Sequence, residues 1–146
     1  MKKSLLTLAL VAVAATALAI EAGSVTAAPP VQVDWVKHVV DRDHFVFEGT
    51  TSGAAPGLLK SNLVGKPVTT GPILHITFDW MVSSGSKSFT ARTSGTWNTK
   101  TGHVVMNGRV IAGYLNGAQV HEEGQLVDPA TLTFEGFLRL LPATAE

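Results

Sequence analysis

Glu122 is the side chain best placed to do chemistry in this chain. It falls in the run Ala118 to Val127, where alternation puts Ala118, Val120, Gly124 and Leu126 on one face with Glu122 among them. A carboxylate carried into an apolar interior is costly unless paired, and its pKa rises. Groups in that state serve as general acids or bases, so Glu122 is the candidate catalytic residue. A bulge at Gly124 is the competing expectation. It would slip the register by one residue and turn Glu122 to solvent.

The other polar clusters are weaker. His75 and Asp79 share a face of the run Ile73 to Val82 with Thr77 between them, but the opposite face carries Phe78 and Trp80, so theirs is read as the solvated side. In His121-Glu122-Glu123 only His121 and Glu123 point the same way in a strand, too few ligands for a metal site, and none is expected. The chain has no Gly-x-Ser-x-Gly elbow, no phosphate loop and no His-x-x-x-His spacing. Arg92, Arg109, Glu123, Glu135 and Arg139 read as cross-strand charge pairs on the polar faces.

These residues need strands to position them. Ile73 to Val82 alternates strictly, with Leu74, Ile76, Phe78, Trp80 and Val82 on one face. The runs 88–97, 103–112, 118–127 and 131–141 follow at spacings of about fifteen residues, with no helical period between them. His44 to Gly49 is an earlier strand, and Val31 to Val40 alternates loosely as a first one. Thr50 to Gly57 is turn chemistry, and the stretch 50–72 reads as a rim loop holding one short strand. The expectation is an all-β fold: an antiparallel meander of seven to eight strands closing as a small up-and-down barrel, with a β-sandwich as the alternative.

Glycines recur inside the strands: Gly49, Gly95, Gly108 and Gly136 fall on the apolar faces, and Gly124 beside Glu122. Mid-strand glycine marks a bend or a close approach. On the inside of a barrel it makes room for a large neighbour such as Trp80 or Trp97, or for a ligand. Eight strands enclose a space that side chains fill or that holds one small molecule. Phe47, Phe78, Trp80, Trp97, Met106 and Phe134 are the candidate pocket residues.

The ends and the composition bound the rest. Lys2 and Lys3 precede an uncharged apolar run from Leu5 to Leu18, with small residues after it at Ala17-Leu18-Ala19 and Val25-Thr26-Ala27. That is the pattern of a secretory signal peptide over 1–27, cleaved after Ala19 or Ala27, and the run is short for a span of ~20 residues. Residues 28–43 read as an extended leader and possible first strand, and 44–146 as a single barrel domain. The expected location is secreted or periplasmic, with no membrane attachment after cleavage. Residues 28–146 carry nine basic and ten acidic side chains, no footprint for nucleic acid. The chain has no cysteine, which excludes a disulfide framework and a lipid anchor on cysteine, so the core alone must stabilise it.

The meander with Phe134-Glu135-Gly136 in its last strand, after a signal peptide, resembles the allene oxide cyclase and dirigent-like barrel group found among small secreted bacterial proteins. The likeness covers the layout of residues 44–141, while the glycine-rich dirigent signature near the C-terminus is absent. It implies an eight-stranded barrel with a central apolar cavity, frequent trimers and no cofactor. The cyclases of that group close a lipid epoxide into a ring with a buried glutamate and a held water, and dirigent proteins guide the coupling of phenolic radicals. No motif of the group falls on Glu122. Three functions stay open: an exported barrel binding a small apolar molecule, a cofactor-free cyclase or isomerase of the same shape, and a structural or interaction module with a filled core.

Overall fold

A computed structural model describes residues 27–144. The signal-peptide pattern read over residues 1–27 lies, except for Ala27, outside them. The described chain is all-β and antiparallel, with strands β1 Val31–Asp41, β2 Val46–Gly53, β3 Gly57–Leu63, β4 Val68–Thr70, β5 Ile73–Ser83, β6 Phe89–Asn98, β7 His103–Gly113, β8 Gln119–Asp128 and β9 Thr133–Leu141. Each of the long strands carries the two-residue alternation that buries one face and wets the other.

Side by side the strands run β3-β2-β1-β9-β8-β7-β6-β5, and β3 pairs back onto β5, so eight strands close a barrel. Closure removes the unpaired edges that an open sheet would expose. β4 stays outside, on Ile73–His75, the part of β5 beyond its pairing with β3.

The structure redraws the N-terminal third. The possible first strand is a full barrel strand, Val31 to Asp41, between β2 and β9. Much of the stretch read as turn and rim loop is strand as well: Thr50 to Gly53 continue β2, and Gly57 to Leu63 form β3, which closes the barrel. Turn residues such as Thr50, Ser52 and Gly53 outvoted the two-residue pattern there because an edge of β2 carries no large apolar side chain past Phe47.

Inside, Val33, Trp35, Phe47, Leu59, Phe78 and Trp80 pack against Val104, Met106, Val120, Phe134, Leu138 and Leu140. Gly124 and Gly136 are opposite each other on β8 and β9; a methyl group on Gly124 would strike the indole of Trp35 first, at 2.6 Å, and one on Gly136 would meet the Glu123 carbonyl of the adjacent strand first and the same indole at 2.8 Å. They therefore make room for Trp35, not for Trp80 or Trp97. At Gly49, Gly95 and Gly108 the missing methyl would meet the backbone of the adjacent strand, at Val36, Val105 and Arg92 respectively. These glycines serve the sharp coiling of a small barrel rather than a cavity.

Candidate functional site

Two charged side chains stand inside this barrel. Glu122 is fully buried on β8. The β7–β8 ladder runs without interruption from His103↔Gln125 to Arg109↔Gln119, so no bulge at Gly124 turns Glu122 outward. The irregularity in this region lies farther on, between Leu126 and Asp128. Lys37, on β1, is 5% exposed and points inward with Val33 and Trp35. Sequence reasoning missed it, although Val31, Val33, Trp35, Lys37 and Val39 hold every second position.

The ammonium of Lys37 sits in a cage of rings. Its Nζ lies 3.8 Å from the ring centroid of Trp80, 4.9 Å from Trp35, 5.0 Å from Phe78 and 5.1 Å from Phe47. It donates one hydrogen bond, to Ser61 Oγ at 3.3 Å. Trp35 and Trp80 themselves pack tilted at 5.2 Å. Cation–π attraction favours the charged amine, and loss of water opposes it. Burial prevails, holding Lys37 down at about 8, while the charge of Glu122 pulls it upward.

Glu122 is held by a chain with a fixed direction. The indole Nε1–H of Trp80 donates to Thr93 Oγ1 at 3.1 Å, and Thr93 Oγ1 donates to Glu122 Oε2 at 3.1 Å. An indole N–H can only donate, so the threonine hydroxyl receives that proton's bond and spends its own on the carboxylate. With Thr93 donating, Oε2 of the carboxylate is an acceptor and Oε1 is left without a partner. Burial pushes Glu122 up to about 7, against the opposing pull of Lys37 and of the Thr93 and Trp80 donors. An acid poised there changes protonation at neutral pH.

Both groups line one cavity near the barrel end that carries the Thr99–Gly102 turn. Phe45, Phe47, Ile76, Phe78, Met106 and Phe134 form most of its wall, with Trp35 and Trp97. Its volume is about 20 Å³. That is sized for about one water, which needs ~10–15 Å³ on this scale. Of the six expected pocket residues, Phe47, Phe78, Trp97, Met106 and Phe134 line this cavity. Trp80 does not. It lies fully buried against Lys37 and Trp35.

Among the described residues, the buried side-chain polar atoms without a hydrogen-bond partner are Trp35 Nε1, Trp97 Nε1 and Glu122 Oε1. All three residues line this same cavity. Each such atom costs about 1–3 kcal/mol, so the presence of all three residues in one cavity wall is the strongest sign of a site.

The outer clusters resolve differently. His75 is exposed, and Asp79 takes a two-pronged bond from Arg92 at 2.7 Å and 2.9 Å. His121 bridges Asn107 Oδ1 and Glu123 Oε1 at 2.8 Å and 2.9 Å on the outside of the barrel. Of the expected charge pairs, Arg92 finds Asp79, whereas Arg92 and Arg109 are direct cross-strand neighbours of like charge, and Arg139 stacks on Phe137 at 5.3 Å. No group of three metal-ligating side chains occurs among the described residues.

No protein-family model and no curated protein matches this sequence.

Proposed function

We propose that this protein binds one small apolar molecule carrying an oxygen function, seated at the mouth of the barrel with its polar end toward Glu122, Trp35 and Trp97. The observation that carries this reading is that the three residues bearing unpartnered buried polar atoms all line one apolar cavity. Two are N–H donors. The third, Glu122 Oε1, donates when the acid is neutral and accepts when it is ionised. A carbonyl, ether or hydroxyl oxygen satisfies that set, whereas a plain hydrocarbon leaves it unpaired. Few polar groups on an apolar wall is the usual make-up of a small-molecule site. A ligand larger than a water enters by displacing side chains at the mouth, among them the partly buried Phe45 and Trp97. The signal-like segment before residue 28 supports an exported binder.

The test is titration of tryptophan fluorescence with matched pairs, an aromatic hydrocarbon against the alcohol and the ketone of the same outline. Saturable changes with the oxygenated members, and weaker ones with the hydrocarbon, are expected. Equal response to both, or none to either, overturns the reading.

A second reading is proton transfer on the bound molecule, as in a cofactor-free isomerase or cyclase. The position of Glu122 near neutrality, with Oε1 unpartnered and the residue lining an apolar cavity, favours it. The likeness in layout to the allene oxide cyclase group supports the same idea. Exchange of solvent deuterium into the α C–H of a bound ketone, lost in Glu122→Gln, is the expected signature. Exchange that persists in Glu122→Gln sinks it.

A further inference from the structure

We propose that Lys37 forms an imine with an apolar aldehyde held in the cavity, with Glu122 passing the protons. The proposal rests on the ligand-binding reading and sharpens it: the oxygen function becomes a carbonyl carbon within reach of an amine. Lys37 and Glu122 line the same space but make no ion pair, since the salt bridges among the described residues are all elsewhere. The amine has one hydrogen-bond partner, the Ser61 hydroxyl, and is otherwise faced by rings. No carboxylate in contact holds it as an ammonium. Burial also keeps a large share of it neutral near pH 8, which is what a lysine nucleophile needs.

The step balances within these residues. The nitrogen lone pair adds to the carbonyl carbon, and the C–N bond forms as the C=O π bond breaks. The oxygen takes a proton from neutral Glu122, and the carboxylate takes one back from the nitrogen, leaving a carbinolamine. A second proton delivered to that hydroxyl releases it as water, and the C=N bond forms. The protonated imine keeps a positive charge where the ammonium had one. The cage of Trp80, Trp35, Phe78 and Phe47 therefore continues to stabilise it, and ionised Glu122 is its counter-charge.

The chain provides its own controls. Lys60, Lys66, Lys87 and Lys100 are exposed, and no cysteine competes for the aldehyde. The protein is incubated with benzaldehyde and sodium cyanoborohydride at pH 7.5, and the reduced adducts are mapped by peptide mass spectrometry. Benzyl alcohol, which lacks the carbonyl, is titrated in parallel by fluorescence. The expected result is a first adduct on Lys37, about tenfold or more faster than on any exposed lysine, as its larger neutral fraction requires, and slowed by excess benzyl alcohol. Binding of both compounds with adducts spread evenly over the exposed lysines overturns the imine while leaving the binding site standing. No fluorescence response to either compound, with Lys37 unlabelled, overturns both. Mapping on the unaltered chain needs no variant to fold. Lys37→Arg, which keeps the charge but not the nucleophile, is expected to lose the fast adduct alone.

Discussion

At the scale of single residues, the chemistry of the interior comes down to which polar atoms have partners. Thr93 is the pivot, because it accepts from Trp80 and donates to Glu122. Thr93→Val keeps the shape and removes both bonds, leaving an indole N–H and a carboxylate oxygen unpaired in the core. A loss of about 1–3 kcal/mol is expected in urea unfolding. Losing that donor also moves the Glu122 pKa further upward, which a carboxyl-resolved NMR titration reads directly. An unchanged titration shows that the chain of bonds does not hold the carboxylate. Lys37→Met behaves differently, because it replaces a costly buried amine with an apolar side chain of similar length. Near pH 6, where Glu122 is largely neutral, the variant is expected to be as stable as the parent or more so, by the logic that buried charges are weak stabilisers. A loss of several kcal/mol at that pH assigns the caged ammonium a structural role instead.

At the scale of the strand, alternation and glycine placement explain most of what the sequence disclosed. β5 through β9 were legible because apolar residues recur on one face at alternate positions, broken mainly by glycines, and the inward setting of Glu122 followed from its neighbours Val120 and Gly124. β3 was legible only as one short strand somewhere in 50–72, since Ser61 and Asn62 break its alternation and its length is fixed by pairing with β5. Lys37 was hidden by chemical type: a lone lysine in a loosely alternating strand is ordinarily wet, and only the cage formed by β1, β2 and β5 explains its burial. The seat of Trp35 was equally out of reach, because it depends on β8 and β9 placing Gly124 and Gly136 side by side. That seat makes a sharp prediction. Gly124→Ala puts a methyl into the Trp35 ring and is expected to cost about 1–3 kcal/mol by overpacking. Trp35→Phe in the same chain removes the struck ring atoms and is expected to recover part of that loss. Additive losses in the double variant show that the two residues are not coupled.

At the scale of the whole molecule, a barrel with two opposite charges inside carries a distinctive dependence of stability on pH. Glu122 is near its ordinary 4.5 when unfolded and about 7 when folded, so between those values the folded state holds more protons. Stability contributed by the neutral acid is therefore present below about pH 4.5 and lost as pH rises to 7. Lys37 runs from about 8 folded to 10.5 unfolded, so between those values the unfolded state holds more protons and stability rises with pH. The two slopes meet in a trough between about pH 7 and 8, where both groups are charged in an apolar interior. Exposed carboxylates act in the other sense. Asp79, held down chiefly by its bond from Arg92, and Asp41 and Glu123, held down by histidine partners, add stability that is lost only in acid. The measurement is the urea-unfolding free energy from pH 5 to 10 for the parent and for Lys37→Met/Glu122→Gln. The parent is expected to dip by on the order of 2 kcal/mol around pH 7–8, and the double variant to run nearly flat. An oxygen-bearing ligand that pairs with Glu122 should fill the trough in the parent and leave the double variant unmoved. A parent curve parallel to that of the double variant shows that the buried pair does not titrate as a unit with folding, and removes the basis for assigning Glu122 a proton to give.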